Sequence, residues 1–160
     1  MAKRKTWQEK LAGGKQPHVE VLQKPFGGAL PGARMLVSQP AEVDAYIRTL
    51  PPGTKATVAD LRDALARQHG ADLACPLSTS IFVRIAAEAA LEDLALGKSE
   101  SEITPFWRVV DPKSPLAKKL SCGAGFVEER RASESKRVSC KNSKTPSLHP
   151  NPTTPPSPRA

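Results

Sequence analysis

Residues 103–120 read ITPFWRVVDPKSPLAKKL. Val109 and Val110 are β-branched, and Phe106 and Trp107 are two of the chain's few large aromatics, so 103–110 is expected to form a strand. Asp111, Pro112 and Ser114 supply turn chemistry, and LAKKL (116–120) offers a second strand. The two together predict a β-hairpin displaying Lys113, Lys118 and Lys119. Alternation along the first strand sends Phe106 and Trp107 to opposite faces, one into the core and the other free to line a pocket.

Upstream of this stretch the apolar spacing is helical. Pro40 opens a helix over 40–50, with Val43, Tyr46, Ile47 and Leu50 on one face, and PPG (51–53) stops it. Thr57 caps a second helix, with Asp60 three residues on and Val58, Leu61 and Leu65 as its apolar stripe; Gly70 ends it. A third helix is expected over 79–96, burying Ile81, Phe82, Ile85 and Ala89 and turning Arg84, Glu88 and Glu92 outward. A short helix follows near FVEERRA (126–132). Three helices and a hairpin make a mainly α chain with a small β-hairpin, a winged helix-turn-helix, whose link GADLACPLS (70–78) is longer than the tightest versions use.

Charge divides the 160 residues into three parts. Residues 1–37 hold seven Lys/Arg against two acids, residues 38–131 twelve against thirteen, and residues 132–160 five against one. The expected organisation is a basic N-terminal extension (1–37), a near-neutral winged-helix domain (38–131) and a Pro/Ser/Lys-rich tail (132–160). Six prolines, six serines and few apolar side chains make the tail disordered by composition. Basic ends fit either attraction to a polyanion such as nucleic acid or a solubilising flank.

Three cysteines (Cys75, Cys122, Cys140) with no CxxC leave one thiol over in any disulfide scheme, which fits a reducing compartment. His18, His69 and His149 lack ligand partners at useful spacing, so neither a metal nor another cofactor is expected. The alanine-rich run 81–96 is broken by Arg84, Glu88, Glu92 and Asp93 and cannot span a bilayer, and the polar start lacks a signal core. A cytoplasmic protein is expected, nucleoid-associated if bacterial.

In order and spacing these segments resemble the C-terminal DNA-binding domain of the methylated-DNA–protein cysteine methyltransferases. LPPGTKATVADLRDALA (50–66) is similar to that family's proline-glycine turn and helix start, FVRIAAEAA (82–90) to its recognition helix, and TPFWRVV (104–110) to its Pro-Cys-His-Arg-Val strand. The resemblance places the acceptor cysteine at Phe106, the neighbouring histidine at Trp107 and the base-turning tyrosine at Val58. A phenyl ring and an indole supply neither a thiolate nor a base, so no alkyl transfer is expected. The closest parallel within the family is the alkyltransferase-like group, which lacks the acceptor and binds alkylated guanine without repairing it.

The resemblance implies a non-catalytic partner of double-stranded DNA that marks lesions for repair proteins. Arg84 would enter the duplex and Ser80 would lie beside it, while Lys113, Lys118 and Lys119 would meet phosphates. Val58, Phe106, Trp107 and Arg108 would line the lesion pocket. Two rivals stay open. One is a winged-helix protein-interaction module without DNA binding, favoured by Glu88, Glu92 and Asp93 on the third helix. The other is an enzyme that moved its acceptor thiol to Cys75, against which stand the apolar neighbours Leu73, Ala74 and Leu77.

Overall fold

A computed structural model of the chain describes residues 3–142. Among these the chain is mainly helical with one small three-stranded sheet. Helix α1 (Trp7–Ala12) starts at a reciprocal cap, in which the Thr6 hydroxyl accepts from the Glu9 N–H and the Glu9 carboxylate from the Thr6 N–H. Strands β1 (His18–Val21) and β2 (Arg34–Val37) pair antiparallel, Val19 facing Leu36. Their connecting loop tightens at Phe26–Ala29, where Gly27 and Gly28 both take positive φ (61° and 88°). Two consecutive left-handed residues suit a two-residue hairpin turn, and glycine is the residue that adopts them without strain.

Helices α2 (Pro40–Thr49) and α3 (Val58–Gln68) then cross over to β3 (Leu73–Ala74), which runs parallel to β2 with Ala74 beside Leu36. The expected local signals operate here. Pro40 sits in the first turn of α2, and Thr57 and Asp60 form the predicted capping box of α3. The Thr57 hydroxyl and the Thr57 N–H both donate to the Asp60 carboxylate at 2.8 Å, and these two hydrogen bonds lower its pKa. Val43, Ile47, Leu61 and Leu65 are fully buried, as their spacing predicts.

Helix α4 (Pro76–Ala95) begins three residues before the expected start, with Cys75 at its N-cap. Its buried face also differs from the expected one. Val83, Ala86, Ala87 and Ala90 pack into the core, Ile81 is exposed, and Glu88 is buried. The reason is that α4 is covered by α1, α2 and α3 together, so it has no single polar side. Alanine predominates because it lets three neighbours approach closely.

The largest correction concerns residues 103–120, which form neither strand nor wing. Phe106–Arg108 is one turn of 3-10 helix, its Phe106 carbonyl accepting from the N–H groups of Val109 and Val110 at 3.1 Å each. LAKKL belongs to helix α5 (Pro115–Lys119), whose N-cap Ser114 accepts from Ala117 N–H at 3.2 Å. Pro105, Pro112 and Pro115 each lack the N–H that a ladder would use, and Ser114-Pro115 is a helix start. Among the described residues the antiparallel hairpin lies at 18–37 instead, between α1 and α2.

Both ends depart from the expected boundaries. Residues 1–37 are no appendage: α1 packs on α4 and α2, and β2 is the middle strand of the sheet. At the other end α6 (Gly123–Asn142) takes in the expected short helix and continues through the first eleven residues of the expected tail. The remainder of that expectation, 143–160, lies outside the described residues.

Polar contacts fix α6 to the turn after α2. Arg131 donates from Nε to the Trp107 carbonyl at 2.6 Å and from its NH2 group to the Ala56 carbonyl at 2.9 Å. Glu134 accepts from the Gly53 N–H at 2.9 Å. Gly53 itself has φ of 86°, and a Cβ there would stand 3.0 Å from Val138 Cγ2, so the helix lies directly against the backbone of the PPG turn.

Candidate nucleic-acid interface

A cleft of about 610 Å³ opens between the start of α3, the first half of α4 and the segment 109–119. It brings together four residues singled out in the sequence: Val58, Ser80, Arg84 and Lys119. Lys113 and Lys118 are exposed on the same turn and helix but do not line it. Val109 and Asp111 do, and the exposed Leu77 and Ile81 complete its α4 side.

Each polar group there has a definite setting. The Ser80 hydroxyl donates back to the Pro76 carbonyl at 2.9 Å, leaving its oxygen lone pairs as acceptors. Arg84 is half-buried, its guanidinium carbon 5.9 Å from the centre of the Trp7 ring, and its Nε is buried without a hydrogen-bond partner. That ring contact is near the outer limit of a cation–π interaction and orients more than it stabilises. Trp7 comes from α1, within the expected N-terminal extension; no local signal links positions so far apart in the chain. Asp111 is the acid of the cleft, and its Oδ1 accepts from the Lys113 N–H at 2.8 Å.

The acids of α4 do not add to it. Glu88 accepts from the Ser121 N–H at 3.0 Å and the Ser121 hydroxyl at 2.6 Å. Glu92 accepts from the Gln8 N–H at 3.0 Å, and Asp93 pairs with Lys98 at 3.0 Å. None of the three lines the cleft, and Asp93 is paired with a cation.

The expected lesion pocket is divided. Val58 lines the cleft, whereas Phe106 is wholly buried and Trp107 is 3% exposed. Phe106 stacks on Phe126 with ring centres 6.1 Å apart and meets Trp107 edge-on at 5.4 Å. A 3-10 turn does not alternate sides, so both aromatics enter the core, and neither ring face is open to a base. Arg108 turns the other way, donating to the Leu50 carbonyl and to both oxygens of Glu134.

The thiols are placed as follows. Cys75 is buried at the α4 N-cap, its N–H donating to the Leu36 carbonyl at 2.8 Å. Cys122 is half-buried; burial first and the Glu88 charge second push its pKa up, away from the thiolate that nucleophilic chemistry requires. Among the described residues no group of three or more His, Cys, Asp or Glu is arranged to hold a metal, and no helix is long and apolar enough to cross a membrane. No family model, curated protein or solved structure matches the chain.

Proposed function

We propose that this chain is a non-catalytic DNA-binding protein that meets double-stranded DNA with the cleft between α3, α4 and α5, and that it recognises alkylated guanine for repair proteins in the manner of the alkyltransferase-like group. The observation that carries the reading is the convergence of Val58, Ser80, Arg84 and Lys119 on one cleft, from three separate segments. Lys113 and Lys118 extend its basic edge. Arg84 supplies a cation on the helix that faces the duplex, and Leu77 and Ile81 supply apolar wedges of the kind minor-groove binders insert between base steps. Alkyl transfer is not proposed, because the position matching the acceptor is a buried phenyl ring. The protein acts where DNA is accessible, in the cytoplasm or nucleoid.

Leu77 and Ile81, 65% and 49% exposed, also favour a second reading, a docking face for another protein. One experiment separates the two. The full chain and its Arg84→Ala and Ile81→Asp variants are titrated by fluorescence anisotropy against duplexes with and without O6-methylguanine, over a salt series. The DNA reading expects salt-sensitive binding, preference for the lesion, and loss of that preference in Arg84→Ala. Absence of binding to either duplex at low salt overturns it and leaves the docking face.

A further inference from the structure

On another side of the molecule, α6 and the segment 100–108 enclose a second cavity, of about 790 Å³. Its size falls in the range of small-molecule sites. Ile103, Pro105, Trp107 and Val138 give it apolar walls. Arg130 and Glu100 pair across it, and Arg108 is held by Glu134. Lys136, Arg137 and Lys141 remain on its rim, exposed and, among the described residues, without a carboxylate partner. Arg137 and Lys141 stand four positions apart on α6, so their charges share one edge.

One buried donor on the lining residues, Arg130 Nε, also lacks an acceptor in hydrogen-bond geometry. A buried donor without an acceptor costs roughly as much as a lost hydrogen bond. The cavity thus combines apolar walls, surplus positive charge and an unused donor. The chain beyond residue 142 carries Lys144 and Arg159 and no acid, so its own C-terminal residues do not complement this rim.

We propose that this cavity binds an organic anion with a flat apolar body, such as an aromatic carboxylate or phosphate ester. The apolar body lies against Val138 and Pro52, over the edge of Trp107, and the anionic group meets Arg137 and Lys141. This site is separate from the DNA-facing cleft, and its test is independent of that reading.

The chain has two tryptophans, Trp7 beside the cleft and Trp107 in this cavity, so a ¹⁵N spectrum of the full-length protein carries one indole reporter for each place. The probe is 2-naphthoate, with the neutral 2-naphthylmethanol as its charge control. The expected result is a saturable shift of the Trp107 indole signal with the Trp7 signal unmoved, and affinity at least about tenfold weaker for the alcohol. The rim variant Arg137→Glu/Lys141→Glu, altered only at exposed positions, is expected to weaken naphthoate by a similar factor. An unmoved Trp107 signal up to about 10 mM naphthoate overturns the proposal. So does equal binding of acid and alcohol, or equal binding by the rim variant. Failure to bind DNA moves neither of these readouts.

Discussion

The guanidinium of Arg108 grips the carboxylate of Glu134 at 2.6 Å, and the two side chains are only 12% and 13% exposed. Arg108 belongs to the stretch that resembles an active-site motif, yet in this fold it secures α6 to the turn that precedes α3. Burial alone would raise the Glu134 pKa. The hydrogen bonds from Arg108 and the Gly53 N–H, with a smaller contribution from the nearby Trp107 indole, outweigh it, so the carboxyl titrates below its ordinary value.

A carboxylate lowered in the folded state contributes stability above its unfolded pKa of about 4.3 and loses it as pH falls through the folded value. Glu134→Gln is therefore expected to lower stability near neutrality by roughly 2 kcal/mol, the scale of a hydrogen bond to a charged group, and to flatten the loss of stability below about pH 4.5. Urea unfolding at a series of pH values checks both.

A thiol placed at position 106 is not expected to accept an alkyl group, because the site lies in the core. Phe106→Cys removes a buried ring from between Phe126 and Trp107 and is expected to cost roughly 3 kcal/mol. Intact-mass measurement after incubation with O6-methylguanine duplex is expected to show no methyl adduct, and thermal unfolding a lowered midpoint. A methylated protein would refute the assignment of position 106 to the core.

Removal of residues 1–12 tests whether the N-terminal segment is part of the folded unit. Gln8 makes two hydrogen bonds to α4, from its N–H to Glu92 at 3.0 Å and from its side chain to the Ala89 carbonyl at 2.8 Å. Losing these and uncovering α4 is expected to cost roughly 2–4 kcal/mol, whereas an independent extension would leave the urea midpoint unchanged.

If the cleft meets phosphates, Lys113, Lys118 and Lys119 contribute to the salt dependence of DNA binding. Changing all three to Ala is expected to reduce the slope of log K against log salt by about two to three, since each phosphate contact contributes roughly 0.9. Anisotropy titrations between low and moderate salt measure it, and an unchanged slope removes these lysines from the interface.

What was legible in the sequence was local. Pro40, the Thr57–Asp60 pair and the faces of α2 and α3 depend on residues within a turn or two of each other, and they form as read. What was not legible depends on distant partners. Phe106, Trp107, Val109 and Val110 have the composition of a strand, but the same residues suit a buried 3-10 turn, and the choice rests on Phe126 and α6. The hairpin at 18–37 carries no clear sequence signal, because most of β1 is exposed and so lacks an apolar rhythm. Glu88 reads as a solvated helix residue until Ser121, thirty-three positions later, supplies its hydrogen bonds. The cleft was partly legible, since Ser80 and Arg84 share a helix face. Its division from Phe106, Trp107 and Arg108 follows from the misread turn.

The bond from the Gln8 N–H to Glu92 spans 84 positions. During synthesis α1 leaves the ribosome before α4 and must therefore wait for it before docking there, and β2 likewise waits for β3 to complete its second edge. Until α4 emerges, Trp7 and the lysines around it stay solvated, and the setting of Arg84 against the Trp7 ring is completed only when that late docking occurs.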